Sequence, residues 1–279
     1  MEYEDIFRCP ICSMQMKMVN LKSLICTNHH CFDVSKQGYV NMLTRGLKTK
    51  YDKRMFVSRK IIFRSGFFEP LMEKISQRIM NEIKIKKERI RILDAGCGEG
   101  SYLSGIKNRI FQNTANDLLG VGVDISKEGI SMAAKEYPDN IWCVADIAKF
   151  PFESKQFNFV LNILSPSNYS EFQRVLSDDG LIIKVVPESN YLQELRQIFY
   201  AKTGKEYYSN DKTVELFKKN LVLLDIQRLQ YRVPMDSTLL EHLVYMTPLS
   251  WGTTTEVMQK VLRMNLSEIT VDIAILLGK

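Results

Sequence analysis

From residue 90 onward the chain repeats one pattern, a short, almost continuous apolar run followed by a segment with helical spacing. IRILDA (90–95), LLGVGVD (118–124), IWCVAD (141–146), FNFVLNIL (157–164) and GLIIKVVPE (180–188) are rich in β-branched residues and carry few polar positions. Strands buried on both faces look like this. Between them, SYLSGIKNRI, GISMAAKEYP and SEFQRVLSDDG have one apolar side at a period near 3.6. Strand and helix in alternation predict an α/β fold with a doubly wound sheet. Two more strands, LVLLDIQRLQYRV and EITVDIAILLGK, close the chain, with helices STLLEHLVYMTPLSWG and EVMQKVLRM between them.

The first of these strands runs straight into GCGEG. Asp94-x-Gly96-x-Gly98-x-Gly100 therefore lies where a strand turns into a helix. At such a turn glycines let backbone approach a ligand lying over the helix start. The spacing is not the GxGxxG of dinucleotide enzymes. Asp124 ends the second strand, where an acid is placed to bind ribose hydroxyls. Asp146 ends the third, where side chain and backbone would meet an adenine edge.

The first forty residues follow neither period. CPIC (9–12) and CTNHHCFD (26–33) hold four of the six cysteines and two of the three histidines. Cys9, Cys12 and Cys26 are the secure members of a tetrahedral nitrogen and sulfur set suited to structural zinc, with His29, His30 or Cys31 as the fourth. A segment this short buries too little surface to fold unaided, and a metal supplies the missing stability. Charge is placed unevenly as well. Residues 1–60 carry 11 Lys or Arg against 5 acids, and the remainder balances, so the whole net charge of +6 sits beside the cysteine cluster. That asymmetry favours a polyanion-facing module over a merely solvated face. The expected organisation is a zinc-binding RNA-recognition module over 1–45, a basic helical linker over 46–85 and the sheet domain over 86–279. The linker cations from Lys48 to Lys60 are expected on phosphates. No apolar run is long enough for a membrane span and MEYEDIFRCP is not a leader, so no membrane partner and a cytoplasmic location are expected.

The DxGxGxG loop with its following acid resembles class I S-adenosylmethionine-dependent methyltransferases, which implies a Rossmann-like sheet ending in an antiparallel strand pair. A zinc module ahead of it, together with FDVSKQGYVNML, RSGFFEPL, LDAGCGEGSY, VGVDISK, SPSN and MTPLSW, is similar to the bacterial 23S rRNA guanine-N1 methyltransferases of the RlmA type. This resemblance runs along nearly the whole chain. It implies S-adenosylmethionine as cofactor, structural Zn2+, and methylation of guanine N1 in a hairpin of 23S rRNA. It also makes His30 the fourth ligand, and places cofactor contacts at Phe68, at Gly98 with Glu99, and at Tyr191. Two positions depart from the family: Phe68 lacks the hydroxyl of the usual Tyr, and Tyr191 stands where some relatives have His. The Asn-Pro-Pro-Tyr-like motif of exocyclic-amine methyltransferases is replaced by SPSN, which leaves Ser165 and Asn168 as candidates for orienting a base. A homodimer is compatible with this reading. Two other functions compete with it: a methyltransferase for a small quinone-like molecule, and a non-catalytic RNA-binding protein. The intact glycine loop and Asp124 argue against the second of these, and the basic N-terminal segment against the first.

Overall fold

The computed structural model describes residues 4–46, 51–83, 89–114, 116–201, 203–204, 206–251, 253–264 and 266–279. Lys48, Lys50 and the expected boundary at residue 86 lie outside them. The N-terminal segment folds as a three-stranded antiparallel sheet, β1 (Met16–Val19), β2 (Ser23–Cys26) and β3 (Cys31–Asp33), followed by a short β4 (Val40–Asn41). The linker forms α1 (Lys53–Arg64) and α2 (Glu69–Glu82). Asp52 caps α1 by accepting the Met55 N–H at 2.8 Å.

The alternating pattern then produces β5 (Ile90–Ala95), α3 (Ser101–Asn113), β6 (Leu118–Asp124), α4 (Lys127–Glu136), β7 (Ile141–Val144), β8 (Phe157–Ile163), α5 (Tyr169–Val175) and β9 (Leu176–Pro187). After β9 come α6 (Gln193–Phe199), α7 (Asp211–Asn220), β10 (Leu223–Pro234), α8 (Ser237–Met246), a 3-10 turn at Pro248–Ser250, α9 (Thr255–Arg263) and β11 (Glu268–Gly278). The large sheet runs β10-β11-β9-β8-β5-β6-β7-β4. β4 to β9 are parallel, and β11 lies antiparallel to both β9 and β10. This is the doubly wound order with a terminal antiparallel pair. Chain order reverses between β5 and β8, and ligands in such sheets bind outside the C-terminal ends of the strands at that point.

One expected helix is shorter than its pattern. α5 stops at Val175 because Leu176 turns extended (φ −72°, ψ 135°), is buried, and pairs with Phe157. β9 thus begins before the polar SDDG stretch and absorbs it at a shift in register.

Each face of the sheet has its own core. One buries Leu71, Ile75, Leu103, Ile106, Ile130 and Ala133 of α2, α3 and α4. The other buries Phe172 and Phe217 of α5 and α7 together with Ile6, Phe7, Met16, Leu24, Val40 and Met42 of the N-terminal segment. The small module therefore covers the sheet where a helix would otherwise lie, and β4 extends the edge beside β7. Backbone bonds fix it there: Arg8 N–H to Pro151 O at 3.0 Å, Glu153 N–H to Ile6 O at 2.9 Å, and Met42 N–H to Val144 O at 2.8 Å. No described helix is long and apolar enough to cross a membrane.

Candidate functional site

The β2–β3 turn and the turn at Cys9–Cys12 bring Cys9, Cys12, Cys26 and His30 together, with one ligand atom from each lying within 4.8 Å of all the others. His30 presents Nδ1, 3.5 Å from Cys9 Sγ and 3.4 Å from Cys26 Sγ, while Cys12 and Cys26 sulfurs are 3.6 Å apart. Zinc with ~2.3 Å bonds to sulfur and ~2.0 Å to nitrogen separates tetrahedral ligands by about 3.5–3.8 Å, so the donor set fits that ion. His29 sits in the left-handed region (φ +61°) and is exposed, and Cys31 is exposed beside Asp33. Neither joins the cluster.

The second site lies at the switch point. Gly96, Gly98 and Gly100 all have positive φ, which L side chains adopt at a cost. A Cβ on Gly96 would also meet Ser165 Oγ at 2.6 Å, so the turns after β5 and β8 touch here. Asp124 holds the loop in shape: Oδ2 accepts the Gly98 N–H and Oδ1 the Ser126 N–H, both at 2.8 Å. Burial raises its pKa, against the opposing pull of these two N–H groups and of Arg59. Asp94 is 1 % exposed and its carboxyl is pushed up to about 7, chiefly by burial, with Arg59 opposing and Asp124 and Glu99 adding. Glu99 is equally enclosed. Asp94 Oδ2 and both Glu99 oxygens have no aligned hydrogen bond among the described residues. Such orphaned buried carboxylates call for a cationic ligand group.

Phe68 lies buried at the start of α2, its ring 5.4 Å from Tyr102, and Tyr191 is 9 % exposed just beyond β9. Burial raises the pKa of both Tyr102 and Tyr191, and each also interacts with Arg59. Phe68, Asp94, the glycine loop with Glu99, Asp124 and Tyr191 thus surround one region. Asp146 follows Ala145, whose N–H reaches the Asp124 carbonyl at 3.1 Å, and its Oδ1 accepts the Ala148 N–H at 2.8 Å.

Ser165 and Asn168 are both engaged within their own turn. Ser165 Oγ donates to Ala95 O at 2.7 Å and accepts from Asn162 Nδ2 at 2.6 Å. Asn168 caps α5, its Oδ1 accepting the Glu171 N–H and the Ser170 hydroxyl. Beneath them Lys184, 3 % exposed, donates to Asn162 Oδ1 (2.6 Å), Ser167 Oγ (2.5 Å) and Ser165 O (3.4 Å). Burial lowers its pKa to about 8.

Reading the sequence missed Lys184, Tyr102 and Arg59. Arg59 belongs to the linker cations expected on phosphates, yet it points inward, Nε 3.1 Å from Glu99 Oε2. Two neighbouring cations also have partners within the chain. Arg54 lies over the Tyr245 ring and pairs with Glu241, and Lys60 pairs with Glu136 at 2.8 Å. Of the described linker cations, Arg54, Arg59 and Lys60 therefore already have carboxylate partners within the chain. Helical spacing carried the signal, because Met55, Arg59 and Ile62 fall on the inward stripe of α1.

A glycine cradle at the switch point of this sheet, floored by aromatic rings and lined with buried acids, fits S-adenosylmethionine. Together with a four-ligand zinc cluster it defines the class: a zinc-carrying S-adenosylmethionine-dependent methyltransferase. Comparison with known proteins agrees and narrows it. A zinc-ribbon family profile described as "RlmA, N-terminal" matches residues 7–48, and a "Methyltransferase domain" profile matches 92–180. The Bacillus subtilis protein YxjB, provisionally named a 23S rRNA (guanine-N1)-methyltransferase, is 43% identical over 98% of this chain and 97% of its own. The 23S rRNA (guanine(748)-N1)-methyltransferase of Streptomyces fradiae is 27% identical over 88% of this chain and 85% of its own. Among solved structures, the YcgJ protein of B. subtilis shares the fold, with a TM-score of 0.50 at 16% identity over 73% of this chain and 96% of that one. The chain belongs to the RlmA-type 23S rRNA (guanine-N1)-methyltransferase family.

Proposed function

We propose that the protein methylates N1 of a guanine in a hairpin loop of 23S rRNA, with the zinc ribbon gripping the RNA and the sheet domain carrying out the transfer. The observation that carries this reading is the docking of the ribbon onto the same sheet that bears the cofactor cradle. That docking puts the ribbon and the cofactor cradle on one continuous sheet and core. The names of the full-length relatives support the choice of substrate.

Bound S-adenosylmethionine supplies an electrophilic methyl group on a sulfonium. The chain's own task is positioning, because transfer requires the accepting nitrogen in line with that methyl. Asp124 holds the glycine loop through Gly98, and Asp94 and Glu99 offer buried negative charge to the cationic end of the donor. Phe68 and Tyr191 pack beside it. The Ser165–Asn168 turn, held by Asn162 and Lys184, lies against Gly96 at the start of the glycine loop and shapes the place for the base. A guanine in folded RNA must leave its stack to enter, and exposed loops make that affordable. In this reading Cys9, Cys12, Cys26 and His30 bind zinc, whose role is to keep the ribbon folded.

The test is to incubate the protein with labelled S-adenosylmethionine and unmodified large-subunit rRNA, then digest the RNA and map the product by mass. N1-methylguanine at one loop position is the expected product. Label appearing only on small phenolic or quinone acceptors would overturn the proposal.

A further inference from the structure

Arg59 is the one cation of α1 described within the cradle, and its surroundings are those of a ligand-binding group. Its side chain is 21 % exposed, while that of its partner Glu99 is 1 % exposed. The guanidinium lies so close over the glycine loop that a Cβ on Gly98 would meet Nη1 at 2.7 Å. Its Cζ is 5.2 Å from the centre of the Tyr102 ring, a cation–π placement. Burial works against its charge, but Glu99, Tyr102, Asp124 and Asp94 outweigh that, and its pKa stays above the ordinary guanidinium value.

An ion pair that merely ties α1 to the loop is the simpler account. Two observations go beyond it. First, α1 already has an apolar anchor here. Phe56 packs on the same loop, where a Cβ on Gly98 would meet its ring at 3.5 Å and one on Gly129 at 2.9 Å. A buried ion pair adds little net stability to such an anchor. Second, the pair is incomplete. Glu99 Oε2 is within ion-pair distance of Arg59, yet neither Glu99 oxygen has an aligned hydrogen bond, and Asp94 Oδ2 has none either. Buried carboxylates without aligned hydrogen bonds, beside a partly exposed guanidinium, suit a ligand carrying both charges.

We infer that Arg59 binds the α-carboxylate of the cofactor's amino-acid end, leaving Asp94 and Glu99 to its ammonium. This rests on the reading that the cradle takes S-adenosylmethionine. The planar guanidinium matches a carboxylate with two parallel hydrogen bonds, which an ammonium side chain cannot reproduce. Because Arg59 belongs to the linker, the cofactor then fixes α1, and with it the connection from the ribbon to the sheet.

The test compares two ligands that differ only in that carboxylate. Calorimetry measures S-adenosylmethionine and decarboxylated S-adenosylmethionine on the wild type, R59Q and R59K. R59Q should weaken S-adenosylmethionine about ten- to a hundredfold, the range for a lost charged hydrogen-bond pair. It should alter decarboxylated S-adenosylmethionine by less than about threefold, within the scatter of a neutral change. R59K keeps the charge and the fold but loses the fork, so it should also weaken S-adenosylmethionine selectively, by a smaller factor. Equal losses on both ligands would make Arg59 a structural lock and overturn the inference, as would unchanged affinity for S-adenosylmethionine in both variants. If the wild type binds neither ligand, the methyltransferase reading fails instead.

Discussion

Met42 donates its backbone N–H to the carbonyl of Val144 at 2.8 Å, and that bond makes the end of the zinc ribbon the outermost strand of the methyltransferase sheet. Ile6 and Phe7, both 0 % exposed, continue the join by packing among Phe150, Phe152 and Phe157. The ribbon is thus part of the fold of the whole chain.

The first prediction follows from that shared core. Stripping zinc with a chelator should lower the melting temperature of the entire protein in one transition, with no early melting of the ribbon alone. His30→Ala should lower zinc content and reproduce that shift, whereas His29→Ala, exposed and outside the cluster, should change neither. Metal analysis and thermal melting of the two variants check this. The opposite ranking would exchange the roles of the two histidines.

Asp94 makes cofactor affinity depend on pH, and the sign can be worked out. Its carboxyl in the folded, ligand-free protein is raised to about 7. A raised acid takes stability away from that state as pH climbs from the ordinary carboxyl value toward 7. A cationic ligand favours the ionised form, so binding below pH 7 must expel a proton. Affinity for S-adenosylmethionine should then rise about tenfold between pH 6 and pH 8 and level off above. Asp94→Asn should bind more weakly and flatten that rise. Calorimetry across this range checks it, and a slope retained in the variant would assign the proton elsewhere.

The parts of this molecule that could be read from sequence are those governed by short-range pattern. β5 coincides with IRILDA because a strand buried on both faces is mostly apolar, with Asp94 near its C-terminal end, and the loop that follows needs glycine to reach positive φ. Patterns of charge were less informative. Eleven cations in sixty residues say nothing about direction, and α1 turns Arg59 onto Glu99 while Lys60, one position on, meets Glu136. Cysteine spacing left three candidates for the fourth ligand. What separates them is the left-handed turn at His29, a three-dimensional fact. Pattern alone does not mark Lys184, because a lysine inside LIIKVV is only an interruption until Asn162, Ser167 and Ser165 close around it.

Lys184 supplies the next prediction. Lys184→Met keeps the volume but removes the donor for Asn162 Oδ1 and Ser167 Oγ. Asn162 Oδ1 keeps the Ser167 hydroxyl at 2.8 Å, but the loss of the charged donor from both atoms should cost about 1–3 kcal/mol of stability, seen in denaturant unfolding. The turn bearing Ser165 would loosen as well, so turnover on RNA should fall further than affinity for S-adenosylmethionine. Equal losses in both would mean that the turn does not shape the place of the base.

The final prediction concerns how the RNA is held. Arg54 and Lys60 already have carboxylate partners, so reversing them would disturb the α1–α8 and α1–α4 contacts as much as any phosphate. Lys17, Lys22 and Lys36 of the ribbon are exposed, and they are the better probes. Each phosphate contact on single-stranded RNA releases about 0.7 counterions, which appears as the slope of log affinity against log salt. Replacing the three lysines by Ala should flatten that slope by up to about 2 and weaken rRNA binding, leaving S-adenosylmethionine affinity unchanged because none of them belongs to the cradle. A filter-binding salt titration on the triple variant gives the answer. A slope identical to that of the wild type would mean that the ribbon's positive charge is only solvated and that the RNA is gripped elsewhere.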